Sequence, residues 1–324
     1  MSQLLEVDSL VTEYSAPRRT VRAVDGVSFS IRSGEIFGIV GESGCGKSAT
    51  CRSIIQLFAG ARARIASGSI RLNGREMVGA SPERLRRVRG REIAMVFQDP
   101  MTALNPTMTV GRQIRESVMA HGNGDAREAR DRALDLMRLV RIPNPEQRFS
   151  AWPHELSGGL RQRIVIAIAL ANDPALLLAD EPTTALDVTV QDQVLRLLLD
   201  ARDSRGAAVL LVTHDLGVVA QTCDRVAVMY AGRIVETGSV ADVLKRPAHP
   251  YTQALLKALP GRRRGARLEA IAGAPPDLAA PPQGCRFLPR CPVGDAGCAS
   301  ADCVLVARHG RPDHLDACVK GGRA

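Results

Sequence analysis

Aromatic residues are scarce: one Trp, three Tyr and six Phe make up 3% of a 324-residue chain. A core built with so few rings must rest on Leu, Val, Ile and Ala, a set that suits helix interiors and buried parallel strands. No apolar run approaches the ~18–20 residues needed to cross a bilayer. The stretch from Met1 to Tyr14 carries Glu6, Asp8 and Glu13 and lacks the basic-then-apolar form of a secretory signal. The expectation is therefore a chain that stays in the cytosol and leaves any membrane crossing to other subunits. The net charge is +9, yet Asp and Glu are mixed in along most of the chain. The concentrated basic patch, Arg262-Arg263-Arg264 with Arg267, is too short to establish a nucleic-acid site. Hydrophobic residues at 45% and charged residues at 24% are ordinary for a soluble globular protein, and the length allows a large core plus a smaller unit.

Against this background one run stands out. Gly41-Glu42-Ser43-Gly44-Cys45-Gly46-Lys47-Ser48 fits the pattern G-x-x-x-x-G-K-[ST] in full. Glu35 to Val40 before it reads as a short buried strand, and Ala49 to Phe58 after it as a helix. Glycines let the backbone curl around a phosphate with its N–H groups pointing inward, and the positive end of the following helix adds to that field. Lys47 offers a mobile charge for the β- and γ-phosphates, and Ser48 an oxygen for Mg²⁺.

Further strands are read at Leu4 to Val7, Ala23 to Ile31, Ser67 to Asn73 and Glu92 to Phe97, with Asn73-Gly74 as a turn. The pattern turns helical between Val110 and Val140, and Pro143 and Pro145 close that region. The apolar run Ala175 to Ala179 ends in Asp180-Glu181, and a helix from Val190 to Arg202 leads to Ala207–Thr213 and then His214. Such runs belong in a parallel sheet covered by helices, with ligands at the carboxyl ends of the strands. Asp180 is placed to position Mg²⁺, and Glu181 to polarise water against a γ-phosphate. A solvated strand end is the bland alternative, weakened by the apolar residues just before the pair. Leu156-Ser157-Gly158-Gly159-Leu160-Arg161-Gln162-Arg163 is a capped helix start whose free N–H groups make another anion site. Arg225 to Tyr230 and Arg233 to Glu236 read as a hairpin around Ala231-Gly232.

The loop, the Leu-Ser-Gly-Gly signature, the Asp-Glu strand end and the downstream His together resemble the ATP-binding-cassette (ABC) ATPases over roughly Leu4 to Leu259. The resemblance implies an α/β P-loop NTPase fold: a RecA-like core, an antiparallel β subdomain and a helical subdomain near residues 100–172, with an ABC domain over 1–259. It also implies head-to-tail pairing, in which Ser157, Gly158, Gly159 and Gln162 of one cassette close over ATP held by the other. The ATP contacts it implies are Tyr14 on adenine, Gly41, Glu42, Ser43, Gly44, Cys45, Gly46, Lys47, Ser48 and Ala49 on the phosphates, and Gln98 as Mg²⁺ sensor. Mg²⁺ falls to Ser48, Gln98 and Asp180, catalysis to Glu181 and His214, and the interface-crossing loop to Asp187.

Within that superfamily the wording is similar to the ATP-binding subunits of oligopeptide, dipeptide and nickel importers. Phe97-Gln98-Asp99-Pro100-Met101-Thr102-Ala103-Leu104-Asn105-Pro106, His249-Pro250-Tyr251-Thr252 and Gly284-Cys285-Arg286-Phe287-Leu288-Pro289-Arg290-Cys291-Pro292 carry this. Leu160 stands where Met is common, and Cys45 where Ser is usual. The implied partners are a second ATPase subunit (related or a second copy), two transmembrane permease subunits and an extracytoplasmic solute-binding protein, with the chain peripheral on the cytoplasmic face of the membrane. Peptide, nickel and other small solutes remain open as cargo, with peptide favoured by the resemblance. A DNA-repair or chromatin ATPase of the same superfamily is the rival of another class, but the chain has no room for the long insertions it needs, and no nucleic-acid partner is expected.

Residues 260–324 read as an Arg-, Ala- and Pro-rich linker followed by a cysteine-rich extension. Cys45, Cys51 and Cys223 are scattered, while Cys285, Cys291, Cys298, Cys303 and Cys318 crowd the end, and in a reducing cytosol such a cluster suggests metal more than disulfides. The resemblance implies a [4Fe–4S] cluster on Cys285, Cys291, Cys298 and Cys318 in some members. Zinc and unligated thiols stay open beside it, and Cys303 is an extra thiol.

Overall fold

Chain order opens with two long strands, β1 (Gln3–Ala16) and β2 (Arg19–Arg32), then β3 (Ile36–Val40), α1 (Lys47–Ile54), β4 (Ala63–Leu72), β5 (Arg75–Glu76), α2 (Pro82–Val88) and β6 (Ile93–Val96). A helical stretch follows: α3 (Pro100–Ala103), α4 (Val110–Met119), α5 (Ala126–Leu139), α6 (Pro145–Arg148) and α7 (Gly158–Ala169). Strand and helix then alternate through β7 (Leu176–Asp180), α8 (Val188–Arg205), β8 (Ala208–Thr213), α9 (Leu216–Thr222) and β9 (Arg225–Tyr230). The chain ends with β10 (Arg233–Ser239), α10 (Val240–Lys245), α11 (Pro250–Lys257), β11 (Val306–Arg308) and β12 (Arg311–Asp316). This is a computed structural model, and it describes residues 3–16, 19–58, 62–122, 125–184, 186–258 and 270–320. The Arg262–Arg264 patch, Arg267 and most of the proposed linker lie outside the described residues, as does Ala185.

The chain divides into two compact units. One gathers Met1–Leu4, Ile31–Glu35 and Gly79–Leu211. Its strands β6 and β7 run parallel, pairing Ile93 with Leu176 and Val96 with Ala179, and every residue of both is buried. That is why the run at 176–179 is continuously apolar: both faces are covered. The helix α5 buries Ala129, Ala133, Leu134, Leu136 and Met137 on one stripe. Its start is fixed by a capping box, Asp125 with Glu128. α7 is apolar nearly all round and is correspondingly enclosed, with Ile164, Val165, Ile166, Ala167 and Ala169 buried.

The other unit gathers Leu5–Ser30, Ile36–Val78 and Val212–Ala324. It holds a four-stranded sheet in the order β2-β1-β4-β5, with β1 and β4 antiparallel. It also holds a run of paired strands in which β3 lies parallel to β9, β9 antiparallel to β10, and β10 antiparallel to β12. The predicted hairpin around Ala231-Gly232 is present, and β10 extends past Glu236 to Ser239. The C-terminal extension is more than a tail. β12 joins the edge of β10, with Glu236 opposite Asp316 and Thr237 opposite Leu315, and β11 then covers β12. Phe287 sits in an aromatic cluster, its ring 5.3 Å from those of Tyr230 and Tyr251.

Candidate functional site

The phosphate loop is built by close approach of backbones. A Cβ at Gly41 would lie 2.1 Å from the carbonyl oxygen of Met229 on β9, and one at Gly46 2.2 Å from that of Ala23 on β2. Gly46 also holds a left-handed φ of 112° as it caps α1. No side chain caps that helix, and a helix start of this kind suits an anion. Lys47 is buried, and its Nζ donates to the carbonyls of Gly41 (2.8 Å) and Glu42 (3.0 Å), so the ammonium is folded across the loop it serves. Cys45 is buried beside it. Burial raises its thiol pKa, which favours the neutral thiol.

Tyr14 is half-buried near the end of β1, paired with Ala63, and burial raises its phenol pKa. His214 follows the last residue of β8 and is exposed. Both belong to the unit that carries the loop.

In the other unit, Asp180 is the buried last residue of β7 and Glu181 follows it. Glu181 holds a left-handed φ of 46°, a costly conformation for a residue with a side chain. Its carboxylate accepts from Thr184 Oγ1 at 2.8 Å and from Gln98 Nε2 at 3.2 Å, so two of the expected residues, Gln98 and Glu181, meet directly. Ser157 caps α7, accepting from the Leu160 N–H, and Ser157 and Gly158 are exposed. Gly159 has a different reason to be glycine: a Cβ there would lie 2.6 Å from Val190 Cγ1 on α8. Gln162 is buried beneath this surface, with Nε2 lacking a hydrogen-bond partner. Asp187 is exposed and caps α8, accepting from the Val190 N–H at 2.9 Å.

The cysteine extension departs from the iron–sulfur expectation. Cys285, Cys291, Cys298 and Cys318 do line one tight hollow of about 10 Å³. Among the described residues, however, no three His, Cys, Asp or Glu side chains are arranged to hold a metal ion. Two of the four expected thiols have other partners, Cys298 toward Asp295 Oδ1 at 3.5 Å and Cys285 toward Cys303, whose own thiol meets the Ala301 carbonyl. Burial pushes the Cys285 thiol up to about 11 and raises Cys291 and Cys303. What anchors the extension is Phe287, β12 and two arginines. Arg286 bonds to Asp25 and to the Ala231 carbonyl, and Arg290 bonds to Glu42 in the phosphate loop. Neither arginine belongs to a nucleotide motif of the sequence, and the available signal is a Phe and two Arg within a few residues of one another.

Residues 24–184 match the family described as "ABC transporter", and residues 235–298 match "Oligopeptide/dipeptide transporter, C-terminal region". The chain is 52% identical to "Probable peptide ABC transporter ATP-binding protein y4tR" of Sinorhizobium fredii (strain NBRC 101917 / NGR234), over 97% of this chain and 94% of that protein. The chain belongs to the ABC transporter ATP-binding proteins. It is also 49% identical to the dipeptide transport ATP-binding protein DppD of Bacillus subtilis (strain 168), over 90% of this chain and 88% of that one. A solved dimer of the ATP-binding cassette MJ0796 with ADP and Pi matches this ABC protein with a TM-score of 0.66 at 27% identity, covering 73% of this chain and 98% of that one. This ABC protein is an ATPase with the cassette fold expected from its motifs. Among the described residues no helix is long and apolar enough to cross a membrane.

Proposed function

We propose that this chain is the ATP-hydrolysing subunit of a membrane importer for di- or oligopeptides. The observation that carries the reading is one chain holding both an uncapped phosphate-loop helix and the oligopeptide/dipeptide-type C-terminal region. The ABC domain is assigned to residues 1–259, with a helical subdomain near 100–172, and the importer-type extension to 260–324.

In this reading Gly41 to Ala49 cradle the phosphates and Tyr14 stacks on adenine. Ser48, Gln98 and Asp180 offer the hard oxygen donors that suit Mg²⁺, which neutralises phosphate charge when bound. Glu181 takes the proton of the attacking water, and Gln98 and Thr184 orient its carboxylate. His214 contacts the γ-phosphate. Ser157, Gly158 and Gly159 act on the nucleotide of a second cassette, with Asp187 at the shared interface. Val188, apolar and 84% exposed beside Asp187, supports a covered surface there. The expected partners are that second cassette, two permease subunits and an external solute-binding protein, with the chain on the cytoplasmic face of the membrane.

Lys47→Ala should lose ATP binding, and Glu181→Gln should bind ATP and accumulate a closed dimer. Hydrolysis at the parental rate in Glu181→Gln would remove Glu181 from its role. Peptide binding by the co-purifying solute-binding protein tests the cargo, and nickel or another small solute there would overturn peptide. Iron and acid-labile sulfide analysis of anaerobically purified protein tests the cysteine hollow directly.

A further inference from the structure

An acidic side chain inside a loop that must receive a polyanion calls for an explanation. Glu42 occupies the second position of the phosphate loop, and its carboxylate is met by the guanidinium of Arg290, 248 residues away in sequence. The pair is bidentate, Nη1 to Oε2 at 2.7 Å and Nη2 to Oε1 at 3.0 Å. Arg290 is 3% exposed and Glu42 26%. The remaining N–H groups of the fork donate to the Tyr230 hydroxyl at 3.3 Å and to the carbonyls of Ala272 (2.9 Å) and Ile271 (3.3 Å). The guanidinium also lies over the Tyr230 ring, 5.8 Å from its centre. Glu42 is held at two further atoms. Its N–H donates to Tyr251 Oη at 3.0 Å, and its carbonyl accepts from Lys47. All these residues belong to one compact unit.

We propose that Arg290, from the C-terminal extension, is a positioning residue for nucleotide binding: it neutralises Glu42 and holds the phosphate loop in its ATP-receiving shape. The inference rests on the nucleotide site assigned above. An unneutralised carboxylate in the loop would repel a triphosphate bound there, and salt with a Debye length of ~8 Å screens charges within one site only weakly. The extension thereby becomes part of the ATP site.

The test uses the full-length chain, with fluorescent-ATP binding and ATPase titration in the assembled transporter. Arg290→Met should raise Kd and KM for ATP roughly tenfold with kcat at saturating ATP within about twofold, the pattern of lost ground-state binding. Adding Glu42→Gln to Arg290→Met should return the affinity to within about threefold of the parent, because the repulsion is gone. Lost packing alone gives no such rescue. Arg290→Lys, a point charge without the fork, should fall between. A folded Arg290→Met with parental affinity, or a double variant without rescue, overturns the proposal. Should Arg290→Met not fold, parental affinity in Arg290→Lys overturns it instead. Lys47→Ala is the control: parental binding in that variant refutes the nucleotide site itself, whereas lost binding there with unchanged Arg290 variants refutes only the role of Arg290.

Discussion

Truncating Phe287 to Ala should undock the C-terminal extension. The ring is 1% exposed and stands edge-on to Tyr230 at 87° and tilted against Tyr251 at 58°, each 5.3 Å away. A Phe side chain buries on the order of 150–200 Å², which at ~25 cal/mol/Å² is about 4 kcal/mol. The cavity left between two fixed tyrosines keeps the loss in the roughly 3–5 kcal/mol range found for Phe→Ala in cores. That is a large part of the ~5–15 kcal/mol that holds a typical domain folded. Because among the described residues β12 pairs with β10 and β11, and β11 with β12, the loss should concentrate in residues 270–320. Hydrogen exchange along that segment should accelerate, and Cys285 and Cys291 should react faster with a thiol reagent. Phe287→Leu, which keeps most of the volume, should lose about 1–2 kcal/mol. A Phe287→Ala variant with parental exchange and an unfolding free energy within about 1 kcal/mol of the parent would refute the anchoring role.

Gly159→Ala should strain the α7–α8 contact and lower both stability and ATPase activity, and Val190→Ala should restore part of each by removing the methyl 2.6 Å away. No rescue would show that Gly159 is needed for another reason. Stability should fall as pH drops below about 6.5. Burial pushes the His249 pKa down from 6.5 to about 4, and its Nδ1 accepts the Tyr251 N–H at 3.1 Å, a bond that protonation breaks. The unfolded chain then binds the proton first, so stability present above 6.5 is lost on the way to 4, about 2 kcal/mol by pH 5. Urea unfolding at pH 7.5 and 5 should show this loss in the parent and not in His249→Asn, which keeps a cap acceptor; an equal loss in both assigns it elsewhere.

The nucleotide machinery was legible because its residues follow local rules. Gly41 to Ser48 form one contiguous pattern, and Asp180-Glu181 ends a strand that has to be apolar on both faces. Element limits were less legible where polar residues alternate. β1 runs to Ala16 and β2 starts at Arg19, far beyond the short apolar stretches that announce them, because the second face of such a sheet can meet water. The extension hid its structure for a different reason. Its strands, Val306–Arg308 and Arg311–Asp316, are short and charged, and they exist through pairing with β10, which no local pattern reveals. The five late cysteines drew attention to metal, while the residues that tie the segment down are Phe287, Arg286 and Arg290.

The pairing of β12 with β10 carries a consequence for anyone who trims this protein. A chain stopped after α11 would keep every nucleotide motif and look like a minimal ATPase. It would also bare the outer rim of β10, with Ile234 and Val235 beside it, as an open template for another strand. In the full chain the outermost strand is instead three residues long and ends in Arg308. Shortening the gene product would therefore exchange a closed border for an adhesive one, and the fragment should gather into oligomers and precipitate where the parent stays dispersed.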